Sequence, residues 1–143
     1  MRKIDSKVSL TDWIYRGKPL LTAPEEVQGF VYCITNPATG RKYVGKKNMW
    51  SIQKRPPLKG KTNRRHRRIQ TDWQSYYGSN KTLLSELEHL DPHTITREIL
   101  HLCANKNQMT YYEMLEQFTR NVLLDDGYYN EYIGGRCTSR GLA

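Results

Sequence analysis

The stretch VYCITNPATGRKYVGKK, residues 31–47, sets two runs of β-branched and aromatic residues around Asn36, Pro37, Ala38, Thr39 and Gly40. Such runs about a turn-forming cluster specify a β-hairpin, with strands at 29–35 and 41–46 and an irregular four- or five-residue loop. Residues of an antiparallel pair share a face when they sit opposite each other or two apart. Pairing Tyr32 with Tyr43 leaves 36–39 as a four-residue loop and points both phenols the same way. On its own this describes an aromatic cross-strand pair that packs a core.

Around the hairpin the chain divides into short elements. Residues 1–27 mix Trp13, Tyr15 and Leu20 with Gly17, Pro19 and Pro24 and show no sustained period. They read as an extended or partly helical arm, 1–28, ahead of a domain at 29–143. Pro56-Pro57 and Gly60 predict a basic loop in NMWSIQKRPPLKGKTNRRH. A helix is expected from about Arg65 to Tyr77, ended by Gly78. Ser79 or Asn80 can cap a second, with Leu83, Leu84, Leu87 and Leu90 as its apolar stripe. Residues 94–102 alternate Ile95, Arg97 and Ile99 against Thr96, Glu98 and Leu100, which suits a third strand, although the length also admits a helix. From Gln108 to Leu124, Tyr111, Leu115, Phe118 and Val122 recur at helical spacing. On that wheel Glu113 lies away from the stripe and reads as a solvated acid.

The 143 residues suffice for one domain with a hydrophobic core. Lys and Arg number 23 against 14 Asp and Glu, for a net charge of +9. That balance suits a polyanionic partner, nucleic acid foremost, with a membrane surface or the ribosome as rivals. Eight of the cations fall between Lys54 and Arg68, where they would repel one another without an anion nearby. No signal-peptide core or membrane-length apolar run interrupts the sequence, so a cytoplasmic location is expected. Cys33, Cys103 and Cys137 are odd in number and widely spaced, which points to reduced thiols.

Phe30-Val31-Tyr32 on the first strand, Tyr43-Val44-Gly45 on the second, a following basic segment, a helical Glu and YYN…GG near the end come in a particular order. With the strings YVGKK, DW..YYGS, REIL and YYNE, this order resembles the GIY-YIG nuclease family over residues 29–135, and small phage-encoded members most closely. The glycine of the first motif stands one place early, at Gly29. The resemblance implies an α/β fold with a small three-stranded antiparallel sheet flanked by helices. It implies a metal-dependent endonuclease that hydrolyses phosphodiester bonds in DNA, with RNA as the alternative substrate, and a bacterial host cytoplasm for a phage-encoded enzyme.

By the same resemblance Tyr32 activates or orients the nucleophile, Tyr43 positions water or phosphate, and Gly45 allows a close backbone approach. Glu113 holds one Mg²⁺ or Mn²⁺, with Glu116 as the alternative carboxylate, and Asn130 orients a tyrosine or water. Asn130 also fits an Asx-turn. Hydrolysis needs a base for the water and positive charge at the transition state. A phenol, with a pKa near 10, acts as base at neutral pH only if nearby cations stabilise phenolate. Arg68 is the choice for the catalytic arginine, with Arg65 next. Lys46, Lys47, Arg55, Lys59, Lys61, Arg64, Arg65 and Arg67 are expected to touch backbone phosphates without reading sequence. A different class also fits: a catalytically degenerate module of the same fold that binds nucleic acid or inhibits a host protein. One active site cuts one strand, so double-strand cleavage would imply a homodimer or two successive events.

Overall fold

The strand β3, Gly29–Thr35, is buried along almost its whole length. Its near-continuous apolar string is the pattern of a strand covered on both faces. Phe30, Tyr32 and Ile34 enter one core with Trp13, Met49, Trp73, Leu83 and Ile99. Val31 and Cys33 enter a second with Val44, Cys103, Met109 and Val122. The computed structural model describes residues 12–62 and 65–142.

Strands β4 (Lys42–Asn48) and β7 (Thr96–Cys103) flank β3 in antiparallel fashion, so the segment that also admitted a helix is a strand. The sheet is larger than the expected three strands. Strand β1 (Ile14–Tyr15) runs parallel to β7 and pairs with β2 (Lys18–Pro19), giving the order β2-β1-β7-β3-β4. Both added strands are two residues long, too short to leave a period in the sequence. Trp13 beside them is 1% exposed. Its indole Nε1 donates to the Trp73 carbonyl at 2.6 Å, and its ring meets Phe30 edge-on at 4.8 Å.

The hairpin register is corrected by two residues: Tyr32 pairs with Gly45, and Tyr43 with Ile34. An even shift keeps every side chain on its face, so the tyrosines remain neighbours, diagonal rather than opposite, with ring centroids 6.2 Å apart. The reason lies in Asn36. Its backbone N–H pairs with the Arg41 carbonyl, and its buried side chain donates to the Glu86 carboxylate at 3.1 Å and to the Tyr129 phenol at 3.0 Å. The turn therefore closes around an anchored asparagine, with Gly40 in the left-handed region at φ 75°.

The helix expected from Arg65 to Tyr77 does not form. Residues Trp50–Arg55 (β5) and Arg65–Gln70 (β6) pair as an antiparallel ribbon, followed by a single 3₁₀ turn at Trp73–Ser75. A helix would stack like charges on successive turns, whereas the ribbon alternates them and lays the Arg68 guanidinium over the Trp50 ring at 4.1 Å. Of the expected basic loop, Trp50–Arg55 and the first residues of β6 are strand instead, and Pro56-Pro57 and Gly60 fall in the connection at the ribbon's outer end.

Helix α1 (Lys81–Leu87) is capped by Asn80, whose side chain accepts from the Leu83 amide, and it buries Leu83 and Leu87. Helix α2 (Lys106–Thr119) is rotated relative to its apolar stripe. Tyr111, Leu115 and Phe118 are 39%, 44% and 61% exposed, and Met109, Thr110 and Gln117 are buried instead. The inward face is chosen by polar partners: Lys46 Nζ donates to Thr110 Oγ1 at 2.9 Å and Gln117 Nε2 donates to the Val44 carbonyl at 3.1 Å. This rotation turns Glu113, read from the wheel as solvated, toward the sheet edge.

Trp13→Ala is expected to cost about 3–5 kcal/mol, the range for an aromatic deleted from a packed core. A urea midpoint that stays at the wild-type value would show that this segment is not part of the folded unit.

Candidate active site

Strand β4 is the last of its sheet, so its outer N–H and C=O groups need partners from elsewhere. Asn130 supplies them at Val44: Oδ1 accepts from the Val44 amide at 3.1 Å, and Nδ2 donates to the Val44 carbonyl at 2.8 Å. The side-chain amide thus stands in for a residue of a sixth strand. Next to it Lys42 N donates to the Gly127 carbonyl, and Tyr129 N to the Lys42 carbonyl, each at 2.8 Å. Asn130 is committed to β4 by both ends of its amide, which differs from the expected role of orienting a tyrosine or water.

Tyr32 reaches the same edge across Gly45. A Cβ at Gly45 would lie 2.5 Å from the Tyr32 phenol oxygen and 3.0 Å from Tyr43 Cε2. The glycine makes room for a phenol rather than for a neighbouring backbone. Tyr76 packs edge-on against Tyr32 with centroids 6.0 Å apart, and the Tyr43 phenol lies 3.4 Å from Ser79 Oγ.

A cleft of about 610 Å³ opens at this edge and is lined by Tyr32, Tyr43, Glu113 and Asn130 together with Lys46, Lys81, Ser79 and Gln117. The structure thus brings four of the five expected catalytic residues to one place. Arg68 is not among them; it sits on β6 over Trp50. The cations at the cleft are lysines. Lys46 comes from β4, and Lys81, which no sequence motif singles out, from the first turn of α1. Lys47 is engaged elsewhere, paired with Asp72 at 2.7 Å and placed over the Tyr76 ring. Lys59, Lys61 and Arg67 are exposed on the ribbon, Arg55 and Arg65 lie in its strands, and Arg64 falls outside the described residues.

Burial dominates the protonation chemistry. It lifts the Tyr32 phenol well above its ordinary range, and the neighbouring phenols Tyr76 and Tyr43 push the same way. Burial also raises Tyr43, against the hydrogen bond from Ser79, and raises Glu113, against the charge of Lys46. The basic ribbon does not relieve Tyr32, which stays a neutral donor at neutral pH. Glu116 differs: burial acts to raise it, but hydrogen bonds from Arg120 at 3.0 Å and His101 at 2.9 Å hold it below the usual carboxylate range. It belongs to that network and does not line the cleft. One turn from Glu113, Gln117 Oε1 is buried and has no hydrogen-bond partner among the described residues.

An edge-strand cleft with two tyrosines on neighbouring strands and a carboxylate from a later helix is the arrangement of a GIY-YIG nuclease domain. The family model described as "Putative endonuclease segE, GIY-YIG domain" matches residues 13–133, and the chain belongs to that family. No curated protein and no solved structure gives a significant match. The domain is therefore of a nuclease type, with a nucleic-acid substrate.

Two outcomes follow from the site's construction. Asn130→Asp keeps the acceptor for Val44 N but faces the Val44 carbonyl with a second acceptor, and is expected to destabilise the fold by about 1–3 kcal/mol in urea titrations. A carboxyl that holds its proton more tightly when folded lowers stability as pH rises above its unfolded value, near 4.3. Glu113→Gln is therefore expected to raise Tm at pH 7, with the gain vanishing as pH falls below about 4. A lower Tm at pH 7 would contradict the burial of that charge.

Proposed function

We propose that the protein is a metal-dependent endonuclease that hydrolyses phosphodiester bonds in DNA. The observation that carries this reading is the meeting of Tyr32, Tyr43 and Glu113 with Lys46 and Lys81 around one cleft. A scissile phosphate in that cleft meets two neutral phenols as donors and two ammonium groups as counter-charge. Such preorganised donors stabilise charge that develops in the transition state. Tyr32, held protonated, orients and donates; it does not serve as the base. Asn130 keeps β4, and with it Tyr43 and Gly45, in place.

The donor set suits a cation that keeps most of its waters. Among the described residues no group of three His, Cys, Asp or Glu side chains gathers as a metal site. Mg²⁺ is commonly held by one or two carboxylates together with substrate phosphate. Glu113 would hold it, and Gln117 Oε1, an orphaned acceptor beside it, could take a hydrogen bond from a coordinated water. Bound there, such an ion supplies Lewis-acid charge and lowers the pKa of water.

A second reading, a degenerate module that binds without cutting, draws support from the displacement of Arg68, which leaves lysines where a bidentate guanidinium was expected. Incubation with supercoiled plasmid decides between the two. The endonuclease nicks with Mg²⁺ or Mn²⁺, stops in EDTA, and loses about 10²–10³-fold in rate in Tyr32→Phe, as for a lost transition-state donor. Glu113→Gln abolishes nicking while binding persists. Arg68→Ala weakens binding and leaves the single-turnover rate within about twofold. Retardation without nicking under every metal condition would establish the binder.

A further inference from the structure

The ribbon of β5 and β6 is unlike the rest of the molecule. Its described side chains from Ser51 to Lys54 and from His66 to Arg68 are exposed, so neither face is packed on a core. Ile52 is 66% exposed. Its register sets Lys54 opposite His66 and Gln53 opposite Arg67. A lone hairpin without a packed face is marginal in water. A polyanion against the ribbon would offset that penalty.

The base of the ribbon, in contrast, is fixed. Met49, between β4 and β5, is fully buried; its N–H donates to the Gln28 carbonyl and its carbonyl accepts from Thr71 N, each at 2.9 Å. Gln28 Nε2 donates to Asn48 Oδ1 at 3.0 Å and to the Trp50 carbonyl at 3.1 Å. Trp50 begins the ribbon four residues after Lys46, so its base lies within about 14 Å of a cleft residue along the chain. A six-residue ribbon extends about 20 Å.

Residue types are sorted along it. The connection carries Lys59 and Lys61, compact charges suited to phosphate. One face of the strands carries Gln53 opposite Arg67. Glutamine and arginine are the side chains that hydrogen-bond in pairs to adenine and guanine edges. The major groove of B-form DNA, about 12 Å wide, admits a two-stranded ribbon. The major groove of A-form RNA is too deep and narrow for side chains to read.

We propose that the β5–β6 ribbon enters the major groove of duplex DNA and that Gln53 and Arg67 read base edges there, while Lys59 and Lys61 hold the flanking phosphates. This rests on the endonuclease reading and gives it a substrate, B-form duplex, and a source of sequence preference. An arm anchored beside Lys46 sets the distance between the bases read and the phosphate in the cleft.

The test is binding by the full chain in EDTA, where nothing is cut, to random-sequence DNA duplexes and to double-stranded RNA of equal length. The wild type is expected to prefer DNA by at least about tenfold and to enrich a short motif. Gln53→Thr with Arg67→Thr, which keeps residues suited to a strand, loses the motif with discrimination falling by about 5- to 150-fold for each bidentate contact. Lys59→Ala with Lys61→Ala weakens binding to every sequence, reduces the salt slope by about two, and leaves the motif intact. Circular dichroism confirms that the variants fold. The inference is overturned if the Gln53 and Arg67 variant weakens all sequences equally and keeps the wild-type motif, or if RNA duplex binds as well as DNA. A wild type that binds no nucleic acid at all overturns the endonuclease reading and the inference together, an outcome distinct from either of those.

Discussion

Everything at the site depends on the volume that Gly45 leaves vacant. The phenol of Tyr32, rooted in the buried central strand, occupies the place where a side chain on β4 would begin. Through that gap a residue from the interior of the sheet meets the solvent at its edge, although it is only 1% exposed. The edge must then be held open without an added strand. Asn130 does this with one amide, satisfying Val44 while leaving the neighbouring face of β4 accessible. Residues from both faces of the sheet converge there, the tyrosines from one side and Lys46, Glu113 and Gln117 from the other.

The hairpin and its paired tyrosines were legible because strand periodicity survives an even error in register, so the wrong pairing still placed Tyr32 and Tyr43 on one face. The caps were legible for local reasons: Asn80 does what an asparagine before an apolar stripe does. Elsewhere tertiary partners prevailed over local pattern. Helix α2 shows its apolar stripe to solvent because the sheet edge takes up the polar groups of Thr110 and Gln117 rather than another leucine. The basic ribbon read as loop and helix because its strands are paired with each other and, beyond Trp50 at the base, present no buried face, and so lack the alternation that such a face imposes. Lys81 joins the cleft only through folding, since neither its neighbours nor its spacing distinguish it from other helix-start lysines.

Function and stability pull in opposite directions in two places. Glu113 is held where burial resists its charge, which is also where a desolvated carboxylate best attracts a hard cation. The ribbon exposes Lys54, Arg67 and Arg68 with no core beneath them. Both features are unfavourable for an isolated domain; under the proposed function, a phosphodiester backbone with its counter-ion would offset them. The remaining framework is ordinary packing: two cores on either side of one strand, with Arg97 buried between Trp13 and Tyr77 and donating to the Gln74 and Tyr76 carbonyls.

The central claim is that Glu113 and the two phenols share one cleft that holds a divalent ion. Paramagnetic broadening by Mn²⁺, followed by NMR on the tyrosine rings, reads this directly. The account predicts that substoichiometric Mn²⁺ broadens the Tyr32 and Tyr43 ring signals, leaves Tyr15 sharp, and broadens none of the three in Glu113→Gln. Ring signals at Tyr32 and Tyr43 that stay sharp while Mn²⁺ broadens another region would contradict it.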